Sequence, residues 1–236
     1  MPNLSCTLLA TLAASIMLAA MAGAAVAGPY EDGVAAYVRG DYATALRLMR
    51  PFAYQGMAAA QNNLGLMYYS GQGVPQDYAE AMKWYRLAAG QGNAKAEHDI
   101  GVIYLQGQGV PQDYAEAAKW FHLAADKGNA DAQHNLGLMY VQGQGVPQNF
   151  AEAMKWYRLA ADQGNAPAQN DLGTLFFMGQ GVPQDFVLAH MWFDLSATQG
   201  DQDATENRDL AERRMSPEQI AEAQKLACGW KPKPER

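Results

Sequence analysis

Four histidines, four copies of a Gly-x-Gly-Val-Pro motif and one Arg-Gly-Asp tripeptide are the residues of this chain whose types and spacing could carry chemistry. His98, His122, His134 and His190 could bind a metal or act as a base. None stands in a His-x-x-x-His or Glu-x-x-His arrangement with a third ligand nearby. His98 and His134 are 36 residues apart. On equivalent helices of stacked units their backbones would lie ~10 Å apart, and nothing draws both to one ion, whose ligand atoms must come within about 2.1 Å. Gly71-x-Gly73, Gly107-x-Gly109, Gly143-x-Gly145 and Gly179-x-Gly181 follow helical patterns rather than strands and lack the third glycine of a dinucleotide fingerprint, so they read as turns between helices. Arg39-Gly40-Asp41 has the form of an adhesion tripeptide, but a helix-ending glycine followed by a capping aspartate accounts for it without a receptor. A Ser-His-Asp arrangement need not be contiguous in sequence, yet no nucleophile elbow and no Ser-x-x-Lys motif occurs. No catalytic residue, metal ligand or cofactor is expected.

The elements that would position any site come from the rest of the chain. Its 236 residues carry a net charge of −7 with 17% charged and 49% hydrophobic residues, a composition that folds rather than stays disordered. The first acidic residue is Glu31 and the first basic one Arg39, so the acidic charge belongs to the body of the chain. Nucleic acid and anionic membranes need clustered Lys and Arg, and neither is an expected partner. Residues 1–27 read as a signal peptide: Leu8 to Met21 is apolar apart from Thr11 and Ser15, and Ala25-Val26-Ala27 is a small-x-small cleavage site. The opposing feature is an n-region without Lys or Arg, and an uncleaved anchor is the alternative. Cleavage would place the protein in the periplasm or outside the cell, free of the membrane. It would leave Cys228 as the one cysteine, expected as a buried apolar side chain.

A repeat dominates the remainder. Gly65, Gly101, Gly137 and Gly173 recur every 36 residues, as do Pro75, Pro111, Pro147 and Pro183, and Trp84, Trp120, Trp156 and Trp192. Residues 56–91 and 128–163 share 28 identities in 36 positions. Such a period means stacked supersecondary units, none able to bury its apolar face alone. Each unit reads as helix, loop, helix. Leu64, Met67 and Tyr68 form an i, i+3, i+4 stripe on the first helix. Gly65 sits inside that stripe, where glycine costs roughly 1 kcal/mol against alanine, so its recurrence points to a close approach by a neighbour. Gly71 suits a left-handed helix end and Pro75 blocks continuation. Asp77 begins the second helix, with Glu80 three residues on predicting a capping box. Asp113/Glu116 and Asn149/Glu152 repeat the pattern, and in the last unit Asp185 faces Leu188. Ala81, Trp84, Tyr85 and Ala88 make the buried stripe of the second helix. Trp120 is expected to pack on its own first helix and the following unit. Asn93, Asn129, Asn165 and Asp201 can cap the next first helix.

These motifs resemble those of Sel1-like repeat proteins, relatives of the tetratricopeptide repeats. Ala60-Gln61, Leu64-Gly65-x-x-Tyr68, Gly71-x-Gly73-Val74-Pro75-x-Asp77, Ala81-x-x-Trp84 and Ala88-Ala89-x-x-Gly92-Asn93 carry the resemblance. The 16 residues from Gly65 to Ala81, against 12 in the tetratricopeptide pattern, mark the Sel1 variety. The resemblance implies an all-α fold, a right-handed superhelical solenoid of helix-loop-helix repeats. The expected organisation is a signal peptide at 1–27, a degenerate N-terminal capping repeat at 28–55, four repeats of 36 residues at 56–199, and C-terminal capping helices and tail at 200–236. In the last segment Ser216, Pro217 and Gln219 form a helix start, Leu226 and Trp230 should cover the end of the stack, and Lys231 to Arg236 should fray.

The resemblance also implies that first helices line a concave groove. Its expected rows are Asn62/His98/His134/Asn170, Leu66/Val102/Leu138/Thr174 and Tyr69/Leu105/Val141/Phe177. Polar groups beside apolar ones suit a peptide, although the same positions could simply pack unit against unit. Lys83, Lys119 and Lys155, each three residues after a glutamate, read as a solvated outer face. The expected function is a non-catalytic scaffold or adaptor for a protein or peptide partner. The alternative is an envelope enzyme or regulator that binds peptidoglycan fragments or β-lactams. The penicillin-associated members of the family carry a cysteine pair in each repeat, and here the repeats carry none.

Overall fold

Residues 28–233 are described by a computed structural model, which over that span holds twelve α-helices and no strand. The helices alternate as first and second members of stacked units: α1 (Pro29–Val38) with α2 (Tyr42–Tyr54), α3 (Ala58–Ser70) with α4 (Tyr78–Ala89), α5 (Ala94–Gln106) with α6 (Tyr114–Asp126), α7 (Ala130–Gln142) with α8 (Phe150–Asp162), and α9 (Ala166–Met178) with α10 (Phe186–Ala197). Two more, α11 (Gln202–Glu212) and α12 (Pro217–Gly229), both lie against α10 at the C-terminal end. The expected signal peptide and its cleavage site lie outside the described residues.

The start and stop signals work as local chemistry dictates. Asp77, Asp113 and Asp185 accept from the backbone N–H three residues on, at 2.9, 2.9 and 3.0 Å. Asn93, Asn129, Asn165 and Asp201 cap the first helices in the same way. The capping box expected at Asp77/Glu80 is only half formed. The Asp77 N–H donates to the Tyr68 carbonyl at 2.9 Å, which leaves nothing for Glu80 to accept, and Glu80 turns to Lys83 at 2.7 Å. Tyr104, Tyr140 and Phe176 supply the same carbonyl to Asp113, Asn149 and Asp185. A complete box forms at Ser216/Gln219, where no such carbonyl competes.

The recurring glycine inside each first helix is a seat for a ring. A Cβ on Gly137 would collide with the Tyr157 ring, and Gly65, Gly101 and Gly173 meet Tyr85, Phe121 and Phe193 in the same way. The second glycine of each loop does two jobs. It takes a positive φ, +70° at Gly145, and there presses on the backbone of Tyr114 in the preceding unit. At the base of the units, Gln91, Gln163 and Gln199 donate to Gln61, Gln133 and Gln169 at 2.7 to 2.8 Å. Gln61, Gln133 and Gln169 donate in turn to the carbonyls of Ala53, Ala125 and Ala161.

Three expectations change. Trp120 is half-buried and packs backward, against the core that its own first helix shares with the second helix of the preceding unit. The other tryptophans also face back: Tyr54 stands 5.3 Å from Trp84, His122 5.5 Å from Trp156, and the Arg158 guanidinium 5.1 Å over Trp192. Cys228 is exposed rather than buried, and no free thiol occurs among the described residues. The tail is tied down as far as Lys233, whose N–H donates to the Asp162 carbonyl at 2.7 Å and whose Nζ meets Asp162 Oδ2 at 2.6 Å. That contact satisfies a carbonyl at the end of α8 that would otherwise face water. Trp230 covers Trp192 at 6.2 Å as expected, while Leu226 stays 41% exposed.

Candidate functional site

The face made by the first helices α3, α5, α7 and α9 carries all three predicted rows, and each row has a different fate. The polar row, Asn62/His98/His134/Asn170, is largely engaged by the next unit. Asn135 Nδ2 donates to His98 Nε2 at 3.1 Å, which makes His98 Nδ1 the donor to Asp99 Oδ1 at 3.0 Å. His134 Nε2 donates to Asp171 Oδ2 at 2.8 Å, and Asn207 Nδ2 donates to Asn170 Oδ1 at 3.0 Å. Each contact between units joins residues 37 apart. The two imidazoles also lie 5.7 Å from the rings of Phe121 and Tyr157 beneath them. These groups hold unit to unit and have little left to offer a peptide backbone.

Asn62 is the exception. The residue 37 positions on is Asp99, an acceptor already held by His98. Asn62 Oδ1 is left buried without a partner. Asn62 also borders a hollow of about 560 Å³ with Tyr30, Asn63 and Lys95, across which Asn63 Nδ2 donates to the Tyr30 hydroxyl at 3.0 Å.

The apolar rows remain half-buried: Leu66, Val102 and Leu138 in one, Tyr69, Leu105, Val141 and Phe177 in the other. Val102 and Leu105 pack on the core of α6 and α7, and Leu138, Val141 and Phe177 on that of the last units, with part of each side chain left outside. Thr174 turns its hydroxyl to the Asn170 carbonyl at 3.1 Å. Leu105 and Leu138 meet at a second hollow, about 320 Å³, completed by Tyr114, Asn135 and Gln144. Sequence reasoning missed Tyr114, Asn135 and Gln144. The signal was present, since Leu105, like Val141 after it, interrupts a column that holds tyrosine at 69 and phenylalanine at 177.

Electrostatics beneath this face are set by burial. Tyr85 and Tyr157 are held protonated far above the ordinary phenol range, first by burial and then by the carboxylates of Asp99 and Asp171 respectively. On the opposite face Lys83, Lys119 and Lys155 pair with Glu80, Glu116 and Glu152 while remaining well exposed, as expected of a solvated surface. Among the described residues no three His, Cys, Asp or Glu side chains converge as a metal site would require, and no helix is long and apolar enough to cross a membrane.

Comparison with known proteins adds the family context. Sel1 repeat matches cover residues 18–57, 58–93, 94–129, 130–165 and 166–201. The first of these reaches into the segment read as leader. The fold is similar to that of a Sel1 repeat protein from Oxalobacter formigenes, at 31% identity over 84% of this chain and 85% of that one, with a TM-score of 0.67. It also resembles the immunity protein Pa5087 from Pseudomonas aeruginosa, at 19% identity over 83% of this chain and 81% of that one, TM-score 0.55. Pseudomonas aeruginosa 5086 matches at 19% identity over 84% and 83%, TM-score 0.52. At these lower identities the likeness is one of fold. No curated protein matches.

Proposed function

The chain belongs to the Sel1 repeat family, whose members generally act as protein-interaction scaffolds, and from that premise we propose that it is a non-catalytic scaffold that binds a protein or peptide along its first-helix face. The observation that carries this reading is the pair of half-buried apolar rows with the Leu105–Leu138 hollow between them. A row used only for packing would be filled, whereas this one leaves apolar surface beside amide groups, the mixture that extended peptides recognise. The leader-like residues 1–27 support a site of action in the periplasm or outside the cell.

Capture from envelope extract by the tagged mature chain tests the assignment. Leu138→Glu places an unpaired carboxylate in the face, which is costly to desolvate against a partner, and should abolish capture of any partner the wild type retains. Lys83→Ala and Lys155→Ala should leave capture unchanged. Loss of binding in those two variants instead would move the site to the outer face, where Leu87, Leu123 and Leu159 are about half exposed. Saturable binding of muropeptides with no protein partner would favour the peptidoglycan reading.

A further inference from the structure

At three places on this protein an aromatic near the end of a first helix stands edge-on to the aromatic that opens the second: Tyr37 with Tyr42, Tyr69 with Tyr78, and Phe177 with Phe186, each with centroids 5.4 Å apart. In the α5–α6 unit the second ring is present as Tyr114, but Leu105 occupies the place of the first. A leucine stops short of where a phenol ring would extend, and the 320 Å³ hollow opens at that point. In the first unit both phenols also share a glutamine reaching back from the next loop. Tyr37 donates to Gln72 Oε1 at 2.6 Å, and Gln72 Nε2 donates to the Tyr42 hydroxyl at 3.0 Å. Gln144 is the residue of that column at the hollow, and its amide has no side-chain hydrogen bond among the described residues. The protein thus shows three times, with its own residues, that a ring fills such a place, and once, at Tyr37, that a glutamine of this column meets its hydroxyl; the Tyr69 hydroxyl donates to Gln106 at 3.0 Å.

We propose that the Leu105 hollow receives a tyrosine side chain of the bound protein or peptide. Its ring takes the position that Tyr37 and Tyr69 fill in the units before, edge-on to Tyr114, and its hydroxyl meets the Gln144 amide as that of Tyr37 meets Gln72. Phenylalanine would keep the ring contact and leave Gln144 facing carbon. Lysine or arginine would bring a charge between Leu105 and Leu138. The inference rests on the binding-face reading above and names what one position along that face selects.

The probe is N-acetyl-L-tyrosinamide, titrated by NMR into the full chain. The Gln144 side-chain amide and the Leu105 and Leu138 methyls should shift saturably. N-acetyl-L-phenylalaninamide should bind about 2- to 12-fold more weakly, the range expected for one lost hydrogen bond. Leu105→Tyr, which copies the Tyr69 arrangement, should abolish probe binding and keep or raise the melting point. Gln144→Leu, at a half-buried loop position without a side-chain hydrogen bond, should erase the preference for tyrosine over phenylalanine without disturbing the fold. No saturable shift at these residues up to about 20 mM, a range generous for a ligand of this size, overturns the proposal. So does equal affinity for the two probes, or a preference that survives Gln144→Leu. If the probe fails while Leu138→Glu still abolishes partner capture, this inference falls and the binding face stands. If the probe binds while Leu138→Glu leaves capture intact, the hollow is real and the face is wrong.

Discussion

Lys127 Nζ lies 2.5 Å from Glu97 Oε1, in the place where the α3–α4, α7–α8 and α9–α10 units set one glutamine against another. Glu97 is 3% exposed, and its Oε2 has no partner. The reason is chemical. The glutamines at this position donate to an alanine carbonyl eight residues earlier, and a carboxylate has no proton to give Ala89.

That exchange predicts strong coupling between the two residues. Lys127→Gln alone should cost about 1–3 kcal/mol, because it weakens a charge-assisted hydrogen bond to a buried carboxylate, an effect moderated by the solvent that reaches the lysine. Glu97→Gln alone should be neutral or stabilising, since it gains the Ala89 bond and removes a buried charge. The double variant should match or exceed the wild type. Urea denaturation of all four proteins gives the cycle, and additive effects would show that the pair does not act as a unit.

Gly137→Ala should destabilise although alanine is the better helix former. The added methyl would run into the Tyr157 ring. Overpacking of this kind costs about 1–3 kcal/mol, which outweighs the roughly 1 kcal/mol of helix propensity gained. Gly229 is the contrast, with nothing within 4 Å of its position. Gly229→Ala should be neutral or stabilising in a thermal melt. A Gly137→Ala protein that melts no lower than wild type would mean that the ring is not seated on the glycine.

Alkali should loosen the fold through Tyr85 and Tyr157. In the unfolded chain each ionises near the ordinary value of 10.0, whereas in the folded protein burial holds both protonated well above it. Above pH 10 the unfolded state therefore binds fewer protons, and stability falls as pH rises, by up to about 1.4 kcal/mol per pH unit for each phenol. Below pH 10 both states are protonated and these groups add no slope. Tyr85→Phe and Tyr157→Phe should each flatten the alkaline limb of a plot of urea midpoint against pH, and an unchanged slope in both would exclude these phenols as its source.

The tryptophans should differ by burial. Trp192 is fully buried between Arg158 and Trp230, so Trp192→Ala should cost about 3–5 kcal/mol. Trp120 is half-buried and should cost distinctly less on truncation. Lys119→Ala, beside it and exposed, should change stability by less than about 0.5 kcal/mol. Thermal melts of the three variants should rank in that order, and a Trp120→Ala loss as large as that of Trp192→Ala would contradict the partial burial of Trp120.

Features local to one unit were readable from the chain alone. The period, the caps at Asp77 and Asn93, the left-handed glycines and the seat at Gly65 all depend on residues within a turn or two, or on one helix meeting its partner. Features between units were not readable. One feature within a unit was hidden as well: Glu80 missed its box because the Tyr68 carbonyl on the first helix of the same unit had already taken the N–H, and no spacing in the sequence announces that competition. The polar row looked available because each partner lies 37 residues on, one step off the 36-residue period that aligned everything else. Trp120 could not reveal which neighbour it leaned on, because both neighbours offer it alanine-rich helices. The hollow at Leu105 was visible only as a missing ring, and a missing ring becomes a cavity only when the backbone does not close over it.

Glu97 and Lys127 sit inside one matched repeat, residues 94–129, as the glutamine pairs sit inside theirs. A gene duplication or deletion that moves a whole unit therefore carries both partners together and strands neither charge. His134 and Asp171 belong to different units, and so do Asn170 and Asn207. Reshuffling units would break those contacts, and the amide or imidazole at each joint would have to switch between donating and accepting to meet its new neighbour. The array can thus grow or shrink in whole steps over evolutionary time with little penalty at its bases, while each joint between units must be paired anew.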